Sequence, residues 1–493
     1  MTEQRDPDRA SVTRRAVRGM AWTLPTSLGA RVVGLVGTLL LARYLAPSDY
    51  GEVSAAVIVV LTASSMTTFG VGIYLVTNRD VTRADAFHAT FWFLAVGLAA
   101  FALAFGLSGP LGAWFGAPSL RHFVPLLLVS GLLDRVGYVP ERMAVRQLRF
   151  GWVSTARALG ELAYTCVSLL LAALGFGAMA IAWGNVARSA VRFALITPSV
   201  GWREWLEPHR LRLATLARII VYGVNVSATS IAAFAMRRWD NLLVSRYFGP
   251  AAMGAYNYAY NLADTPAVAI GEQMTDVITA SFPHVNREKR ADALVQACTM
   301  ISVIMFPLAF GLGAVSQTVV ETFFDRRWAG VGTMLMLLSV LSATRPMAHV
   351  LVGYFYAGQR PGVVLWLEWL SLGAIVLAIP TIGRISTTWT CISVGSVFVL
   401  RTLAATWIAQ RLDGARVSSL LRPLVGPLLA CLAMVGAILA ARPELQGLAP
   451  ARRLAAEVSL GGLVYLAGAF VLFRSTSREL LGLVRSALWR GGR

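Results

Sequence analysis

The chain is divided into apolar blocks of about 20 residues, the length that a helix needs to cross about 30 Å of hydrocarbon. Of its 493 residues, 56% are hydrophobic and only 14% are charged. No long polar stretch remains that could form a soluble catalytic domain. Together these features predict an all-α, polytopic membrane protein.

Charged or Pro/Gly-rich segments separate 14 predicted transmembrane helices. The spans in the first half are 20–42, 52–77, 86–107, 119–140, 153–173 and 176–197. The spans in the second half are 216–245, 254–282, 293–315, 331–356, 362–382 and 388–409. A final pair covers 423–441 and 454–474.

A nine-residue segment occurs twice in nearly the same form. Residues 43–51 read RYLAPSDYG and residues 246–254 read RYFGPAAMG, an offset of 203 residues (246 − 43). One interpretation is a favourable membrane turn that arose twice by chance, since Pro ends a helix and Gly permits a tight turn. The shared register favours a duplication instead. Because six spans separate the copies, the repeat is parallel and predicts two six-helix lobes around a central cavity.

The repeat also sets the predicted domain boundaries. Residues 1–18 are a basic cytoplasmic tail and residues 475–493 are a second one. The first lobe covers 19–212 and the second covers 213–422. The last two transmembrane helices lie within 423–474.

The net charge of +19 is carried by short loops and by both ends of the chain. The two ends and the even-numbered loops hold roughly 25 basic residues and the opposite loops about 9, which predicts cytoplasmic termini. A basic domain with interleaved aromatic residues is missing, so no nucleic-acid partner is predicted. The Arg- and Ala-rich composition indicates a bacterial protein, and we expect it in the cytoplasmic membrane.

Ionisable residues inside apolar spans are costly and are therefore candidates for function. Arg31, Arg237, Asp240 and Asp264 lie deep in their spans on polar faces, which favours a solvated cavity over the alternatives of a structural ion pair or a side chain that reaches the interface. Further polar residues share these faces or form a similar group in the 176–197 span: Asn185, Arg188, Arg192, Asn225, Thr229, Asn257, Asn261, Glu272 and Asp276.

Arginine is the informative member of this set. Its planar guanidinium grips phosphate through two parallel hydrogen bonds, so several arginines around one cavity predict an anionic cargo such as a diphosphate. Arg157 and Glu161, at positions i and i+4, are predicted to pair with each other. Three other buried charges are isolated in the sequence: Arg345, Glu368 and Arg401. For Arg401, which lies near the end of its span, a structural ion pair or a side chain that reaches the interface is favoured.

Motifs for bond chemistry are missing from the sequence. It has no Walker loop, no GxGxxG after a strand, no HxxEH and no Asp-x-Asp on a large loop. The five His are scattered, and the four Cys lie in apolar segments without metal-ligand spacing. We therefore predict no cofactor, no metal and no catalytic residue, and interpret the chain as a transporter rather than an enzyme.

Several short segments, in this order and spacing, resemble the polysaccharide transport branch of the MOP flippase superfamily, which includes Wzx-type O-antigen flippases and is related to lipid II flippases. The segments are Gly19–Trp22 at the first span, the turn 43–51, Thr68–Gly72 followed by Arg79, Asp240 with Tyr247–Gly249, and Gly254–Tyr256.

The resemblance implies two six-helix lobes in a V-shaped arrangement plus two further helices. It implies translocation of a polyprenyl-diphosphate-linked oligosaccharide for cell-surface polysaccharide, such as lipopolysaccharide O-antigen, by alternating access. It assigns the diphosphate to Arg31, Arg188 and Arg237 by position. It assigns cation or proton coupling, or gating, to Asp240, Asp264 and Glu272. The helical periodicity of the same two spans predicts Asn225, Asn257 and Asn261 as polar cavity lining. The expected partners are this lipid, membrane lipids, and glycan polymerase or ligase proteins.

Other functions are also compatible with the sequence. A multidrug or metabolite exporter of the related branch would need a smaller and more apolar cavity. A membrane glycan polymerase or glycosyltransferase would need carboxylates on a large outer loop, whereas the outer loops here are short. A non-transporting assembly partner of glycan enzymes is the third alternative.

Overall fold

The structure is a computed structural model that describes residues 26, 29–78, 80–286, 289–413 and 417–474. Every regular element in those ranges is helical. The basic tails, the Gly19–Trp22 segment and Arg79 lie outside the described residues.

The helices follow one another along the chain with short connections. The first unit of the chain contains α1 (Gly29–Leu41), α2 (Pro47–Met66), α3 (Val71–Thr77), α4 (Arg83–Phe115), α5 (Leu120–Arg146), α6 (Phe150–Ala173), α7 (Met179–Ile196) and the start of α8 (Leu213–Ser281). The rest of α8 is followed by α9 (Arg290–Phe323), α10 (Val331–Leu341), α11 (Arg345–Ala357), α12 (Pro361–Thr381), α13 (Thr387–Asp413), α14 (Val417–Leu421), α15 (Val425–Leu445) and α16 (Pro450–Leu472).

Ten helical segments in the described ranges are long and apolar enough to cross a membrane, or eleven if the bent pair α2–α3 is one span. The long helix α8 contains two predicted spans, 216–245 and 254–282. Its backbone leaves the helical region between them, at Gly249 (φ 81°, ψ 173°). Two further predicted spans coincide with α1 and α7. The predicted all-α, polytopic fold is confirmed, and the count of 14 is consistent with it but stays a prediction.

The chain forms two compact units, Met1–Gly254 and Ala255–Arg493. The division falls within α8, just after the second copy of the repeated turn. The predicted lobe boundary at residue 213 is based on where the sequence repeat begins, whereas the two compact units are defined by the packing of the helices. That boundary therefore stays a prediction.

The span predicted over 52–77 is broken in the structure. Helices α2 and α3 meet at 51°, and the break contains Phe69 (φ 43°) and Gly70 (φ 68°) in the left-handed region. The buried Arg135 of α5 donates hydrogen bonds to the carbonyl of Ser64 (3.1 Å) and to the hydroxyl of Thr67. A cation at a helix C-terminus satisfies carbonyls that have no partner in the helix. Arg135 therefore stabilises this break.

Small residues let the helices of the first unit approach closely, as is common in membranes. A Cβ atom on Gly184 of α7 would lie 1.9 Å from the Ser168 hydroxyl of α6. A Cβ on Gly160 of α6 would lie 2.8 Å from the side chain of Arg192 in α7. The polar faces of α6 and α7 are thereby held against each other.

In the second unit, α15 and α16 pack on α9. The Tyr465 hydroxyl of α16 donates a hydrogen bond of 2.6 Å to the Val303 carbonyl of α9. The fully buried Glu457 of α16 lies 3.4 Å from Arg442 of α15 and 3.3 Å from Arg453. The last two helices are therefore connected to each other and to α9 by polar contacts.

Candidate functional site

The first unit contains a group of seven charged side chains on three neighbouring helices, which we call the α5–α7 charge cluster. It is built from the second half of α5, the first half of α6 and the middle of α7. Its members are Asp134, Glu141, Arg142, Arg157, Glu161, Arg188 and Arg192.

Glu141 is the centre of the α5–α7 charge cluster. Its buried carboxylate accepts hydrogen bonds from Arg157 (2.5 Å) and Arg142 (3.0 Å) at Oε1 and from Arg192 (3.0 Å) at Oε2. A buried carboxylate with three charged donors recovers the free energy that its desolvation costs. Glu141 therefore fixes the positions of arginines from three helices.

The other two carboxylates of the cluster are more exposed. Arg188 Nε lies 3.2 Å from Glu161 Oε1, and its guanidinium stacks over the ring of Tyr164 at 4.1 Å. Asp134 lies 3.4 Å from Arg192. The prediction that Arg157 pairs with Glu161 is wrong. Arg157 turns to Glu141 because that carboxylate is buried, while Glu161 faces Arg188 across the α6–α7 contact.

The cluster carries a positive excess, since four arginines face three carboxylates. Arg157 is 51% exposed and bonds to Glu141 through Nη2 alone. Within the described residues, the Nη groups of Arg188 make no hydrogen bond. Guanidinium groups held in place with unused donors can bind an anion through two parallel hydrogen bonds.

Arg31 lies on α1, close to this cluster in the first unit. One turn further on, Gly34 faces α6, where a Cβ would lie 3.9 Å from Glu161 Oε2, and a Cβ on Gly37 would lie 2.5 Å from Thr165. Arg31 itself is half-buried. The structure therefore brings the helix of Arg31 against the helix that carries Arg157 and Glu161.

The predicted site residues on the first part of α8 have different surroundings. Asp240 is fully buried, and its carboxylate accepts two hydrogen bonds of 2.9 Å from the amide and side chain of Asn241. Arg237 is half-buried, one turn before Asn241. Asn225 is exposed, and its carbonyl accepts a hydrogen bond from Thr229.

The predicted site residues on the second part of α8 belong to the second unit. Asp264 pairs with the buried Arg345 of α11, which also donates a hydrogen bond of 2.6 Å to the Tyr260 hydroxyl. The Arg345 guanidinium lies 3.7 Å from the centre of the Phe398 ring. The interpretation of Arg345 as an isolated charge is wrong, because α8 and α11 pack together and bring Asp264 to it.

Two further groups complete the second unit's polar residues. The Asn261 side chain donates a hydrogen bond to that of Asn257, and Glu272 is exposed about two turns beyond Asp264 on α8. Glu368 of α12 pairs with Arg401 of α13 at 2.5 Å, and both side chains are about nine-tenths buried. These two residues are therefore not isolated either.

Sequence reasoning missed Glu141 and the partner of Arg345. Glu141 falls one residue beyond the predicted 119–140 span, whereas α5 continues to Arg146 and carries it into the packed region. The available signal was the run of basic residues at Arg142 and Arg146, which was assigned to a loop. Within the described ranges, no three His, Cys, Asp or Glu side chains converge as a metal site would require.

The fold is that of a polytopic helical membrane protein. Residues 40–332 match the family described as "Polysaccharide biosynthesis protein", and the chain belongs to that family. The resemblance to the polysaccharide transport branch of the MOP superfamily is confirmed.

The relatives align with three quarters or more of the chain. The succinoglycan biosynthesis transport protein ExoT of Rhizobium meliloti (strain 1021) is 24% identical over 497 residues, covering 96% of each protein. The lipopolysaccharide biosynthesis protein WzxC of Escherichia coli (strain K12) is 22% identical, covering 77% of this chain and 78% of that protein.

Solved structures share the fold. The lipid II flippase MurJ in its inward closed conformation aligns with a TM-score of 0.76 at 13% identity, covering 92% of this chain and 98% of that one. An inward-facing multidrug resistance transporter of the MATE family aligns with a TM-score of 0.58 at 16% identity, covering 79% of this chain and 96% of that one.

Proposed function

We propose that this protein is a flippase that moves a polyprenyl-diphosphate-linked oligosaccharide from the cytoplasmic to the outer leaflet of the bacterial cytoplasmic membrane. The observation that carries the proposal is the α5–α7 charge cluster, in which fixed arginines keep unused donors and exceed the carboxylates. The transport and polysaccharide roles named for the relatives support the same cargo.

The diphosphate is bound by arginines in this proposal. Arg188 and Arg157 present donors on two adjacent helices, and Arg31 lies on α1, which packs against α6. Arg237 adds a half-buried guanidinium on α8. Guanidinium groups stay ionised in a membrane interior, and their planar donors match the geometry of phosphate oxygens. Hydrogen bonds from these fixed donors would therefore replace part of the water that a diphosphate loses when it enters the site.

Carboxylates on α8 bias the conformations in the same proposal. Protonation of Asp264 would remove the charge that neutralises Arg345, leaving a buried guanidinium without its ion pair. Such a state is unfavourable unless the helices rearrange. Asp240 and Glu272 are the further candidates for cation or proton coupling, while Asn225, Asn257 and Asn261 contribute polar lining.

Cytoplasmic termini complete the proposal, as the distribution of basic residues indicates. Membrane lipids are the constant partners, and glycan polymerase or ligase proteins would use the product. The chain acts as a transporter without catalytic residues. The connections at 324–330 and 446–449 are too short to form the large loop that a polymerase or glycosyltransferase would need.

The proposal is tested with purified protein in liposomes that contain a fluorescent polyprenyl-diphosphate sugar. Flipping is measured as label that becomes accessible to a membrane-impermeant quencher on the far side. Arg188→Gln and Arg157→Gln should each slow flipping about tenfold or more, because a charged hydrogen bond contributes about 1.5–3 kcal/mol. Arg31→Ala and Arg237→Ala are predicted to have similar effects.

Arg121→Gln is the matched control, because Arg121 is an exposed arginine at the start of α5, outside the cluster. It should flip at the wild-type rate. Wild-type rates for all four cluster and cavity variants would remove these residues from the mechanism. Efflux of small organic cations without flipping would instead favour an exporter, which the positive excess of the cluster argues against.

A further inference from the structure

The connection between α7 and α8 is a surface segment of the first unit, residues 197–212, which we call the α7–α8 linker. Its middle is held by Trp205, whose side chain is buried and whose carbonyl accepts a hydrogen bond of 3.2 Å from Thr90 of α4. Its end is held by the backbone amide of Arg212, which donates a hydrogen bond of 3.0 Å to His88 Nε2 of α4. The linker therefore has a defined inner face and a defined outer face.

The two carboxylates of the linker are used in contacts with neighbouring helices. Glu204 accepts a hydrogen bond of 2.7 Å from the side chain of Gln147, which follows α5. Glu207 lies 3.4 Å from the guanidinium of Arg83 at the start of α4. Both negative charges of the linker are thus paired with groups of the first unit.

The outer face of the linker is cationic and apolar. Its three arginines are exposed, and among the residues that the structure describes their guanidinium groups pair with no carboxylate: Arg203, Arg210 and Arg212. Three large apolar side chains of the same segment are also exposed: Trp202, Leu206 and Leu211. The Arg203 guanidinium lies 5.4 Å from the centre of the Trp202 ring, so cationic and apolar groups share one surface.

The linker lies at the level where membrane-crossing helices end. It joins the end of α7 at Ile196 to the start of α8 at Leu213. Close to it, the exposed Trp152 of α6 donates a hydrogen bond of 3.0 Å to the Leu195 carbonyl. Tryptophan is enriched at the headgroup level of membranes. The distribution of basic residues predicts that this side is cytoplasmic, where anionic lipids attract basic segments next to the membrane.

We propose that the α7–α8 linker is a binding surface for the headgroups of anionic phospholipids. Its three arginines contact lipid phosphates, while Trp202, Leu206 and Leu211 enter the boundary between headgroups and acyl chains. Apolar and cationic side chains on one face are the pattern of a segment that lies in the membrane interface. The pairing of Glu204 and Glu207 with the first unit keeps negative charge away from the lipid. The proposal goes beyond the flippase function and does not depend on the cargo.

The direct test measures how deeply the linker lies in the membrane. A spin label is attached at Leu206→Cys, with the exposed Cys166 replaced by Ser. The nanodiscs contain phosphatidylcholine alone or equimolar phosphatidylcholine and phosphatidylglycerol. Collision of the label with oxygen, which enters the bilayer, and with a water-soluble nickel chelate gives the ratio of membrane-bound to water-exposed linker.

We expect this ratio to be about tenfold higher or more with phosphatidylglycerol, and to fall as salt is added, because salt screens charges at the surface. Equal ratios in the two lipids would overturn the choice of an anionic partner. A label that remains accessible to the nickel chelate in both lipids would overturn the membrane surface as the occupant.

Neutralising the arginines tests which groups bind the lipid. Each basic residue near an anionic surface contributes roughly fivefold to binding. The triple variant Arg203→Gln/Arg210→Gln/Arg212→Gln should therefore lower the ratio about tenfold or more, whereas lysine at all three positions should preserve most of it. The matched control replaces three exposed arginines of other connections by glutamine: Arg121, Arg384 and Arg452. The control should keep the wild-type ratio, and an equal loss in the control would contradict a role of the linker.

Thermal unfolding separates loss of lipid binding from loss of the fold. In detergent without phosphatidylglycerol, the glutamine triple variant should unfold at the wild-type Tm, because the three guanidinium groups form no ion pair among the described residues. Added phosphatidylglycerol should raise the Tm of the wild type and the control more than that of the triple variant. Equal stabilisation of all three proteins would overturn the proposal. The comparison of the two lipids needs no arginine variant and decides the question independently.

Discussion

Replacing Glu141 by Gln tests the centre of the α5–α7 charge cluster. The substitution keeps the size of the side chain and one acceptor oxygen but removes the negative charge. Three arginines, Arg142, Arg157 and Arg192, then face each other around a buried amide. We expect the first unit to lose stability and the helices α5, α6 and α7 to loosen.

The magnitude follows from the geometry of these three contacts. A hydrogen bond to a charged group contributes about 1.5–3 kcal/mol. Water screens part of each contact here, since Arg157 is 51% exposed and Arg142 and Arg192 are 26% and 29% exposed. Removing one partner of a buried ion pair costs about 3–5 kcal/mol, and the screening places Glu141→Gln near the lower end, at about 3 kcal/mol.

The assay is thermal unfolding in detergent, followed by intrinsic tryptophan fluorescence. For a cooperative unit of the size of Met1–Gly254, about 3 kcal/mol corresponds to a fall in Tm of roughly 6–12 °C. Glu161→Gln is the matched control. Its carboxylate is 34% exposed and, among the described residues, forms an ion pair with Arg188 alone, so the expected loss is below about 1 kcal/mol.

Two results would refute this reasoning. A Glu141→Gln protein as stable as the wild type would mean that the three arginines find water or other partners at no cost. A Glu161→Gln protein destabilised as much as Glu141→Gln would mean that burial does not determine the strength of these pairs. Either result would remove Glu141 as the residue that positions the arginines.

Two further substitutions test buried cations in each unit by the same unfolding measurement. Arg345→Met should lower the free energy of unfolding by about 3–5 kcal/mol, because it leaves Asp264 unpaired. The double variant Arg345→Met/Asp264→Leu should recover most of that loss. Equal stability of the single and double variants would contradict the ion pair. Gly97→Val should lower the free energy of unfolding by about 1–3 kcal/mol, because a Cβ at that position would lie 2.0 Å from the Arg135 guanidinium. Gly106→Val should lower it by less than about 1 kcal/mol, because nothing lies within 4 Å of the Gly106 Cβ position. Similar losses for the two variants would show that Arg135 is not confined.

The sequence was sufficient to predict the all-α, polytopic fold because hydrophobicity over about 20 residues is a local property. It did not predict the break between α2 and α3. The segment 52–77 is apolar throughout, and the break depends on Phe69 and Gly70 in the left-handed region and on Arg135 from another helix. An interruption that is stabilised from outside the segment leaves only a weak signal within it.

The predicted site residues illustrate the same limit. Helical periodicity correctly placed Arg157 and Glu161 on one face of α6, but the partners came from α5 and α7. Likewise, the partner of Asp264 lies 81 residues further along the chain. Which charges pair depends on which helices are neighbours, and a single sequence does not record that. Whether the nine predicted residues act in transport stays a prediction.

Glycine positions connect the local sequence pattern with the pairing of charged residues between helices. In the first unit, Gly160 makes room for the Arg192 side chain and Gly97 for the Arg135 guanidinium. In each case a missing Cβ on one helix lets a charged residue of another occupy the space, so the position of the glycine determines which charges can meet. The same rule, applied to backbone instead of side chains, accounts for Gly51, because a Cβ there would lie 1.9 Å from the carbonyl oxygen of Pro250. Glycines that face polar stripes in apolar spans are therefore the local signal from which such long-range pairs can be inferred, and Gly97→Val against Gly106→Val tests that rule directly.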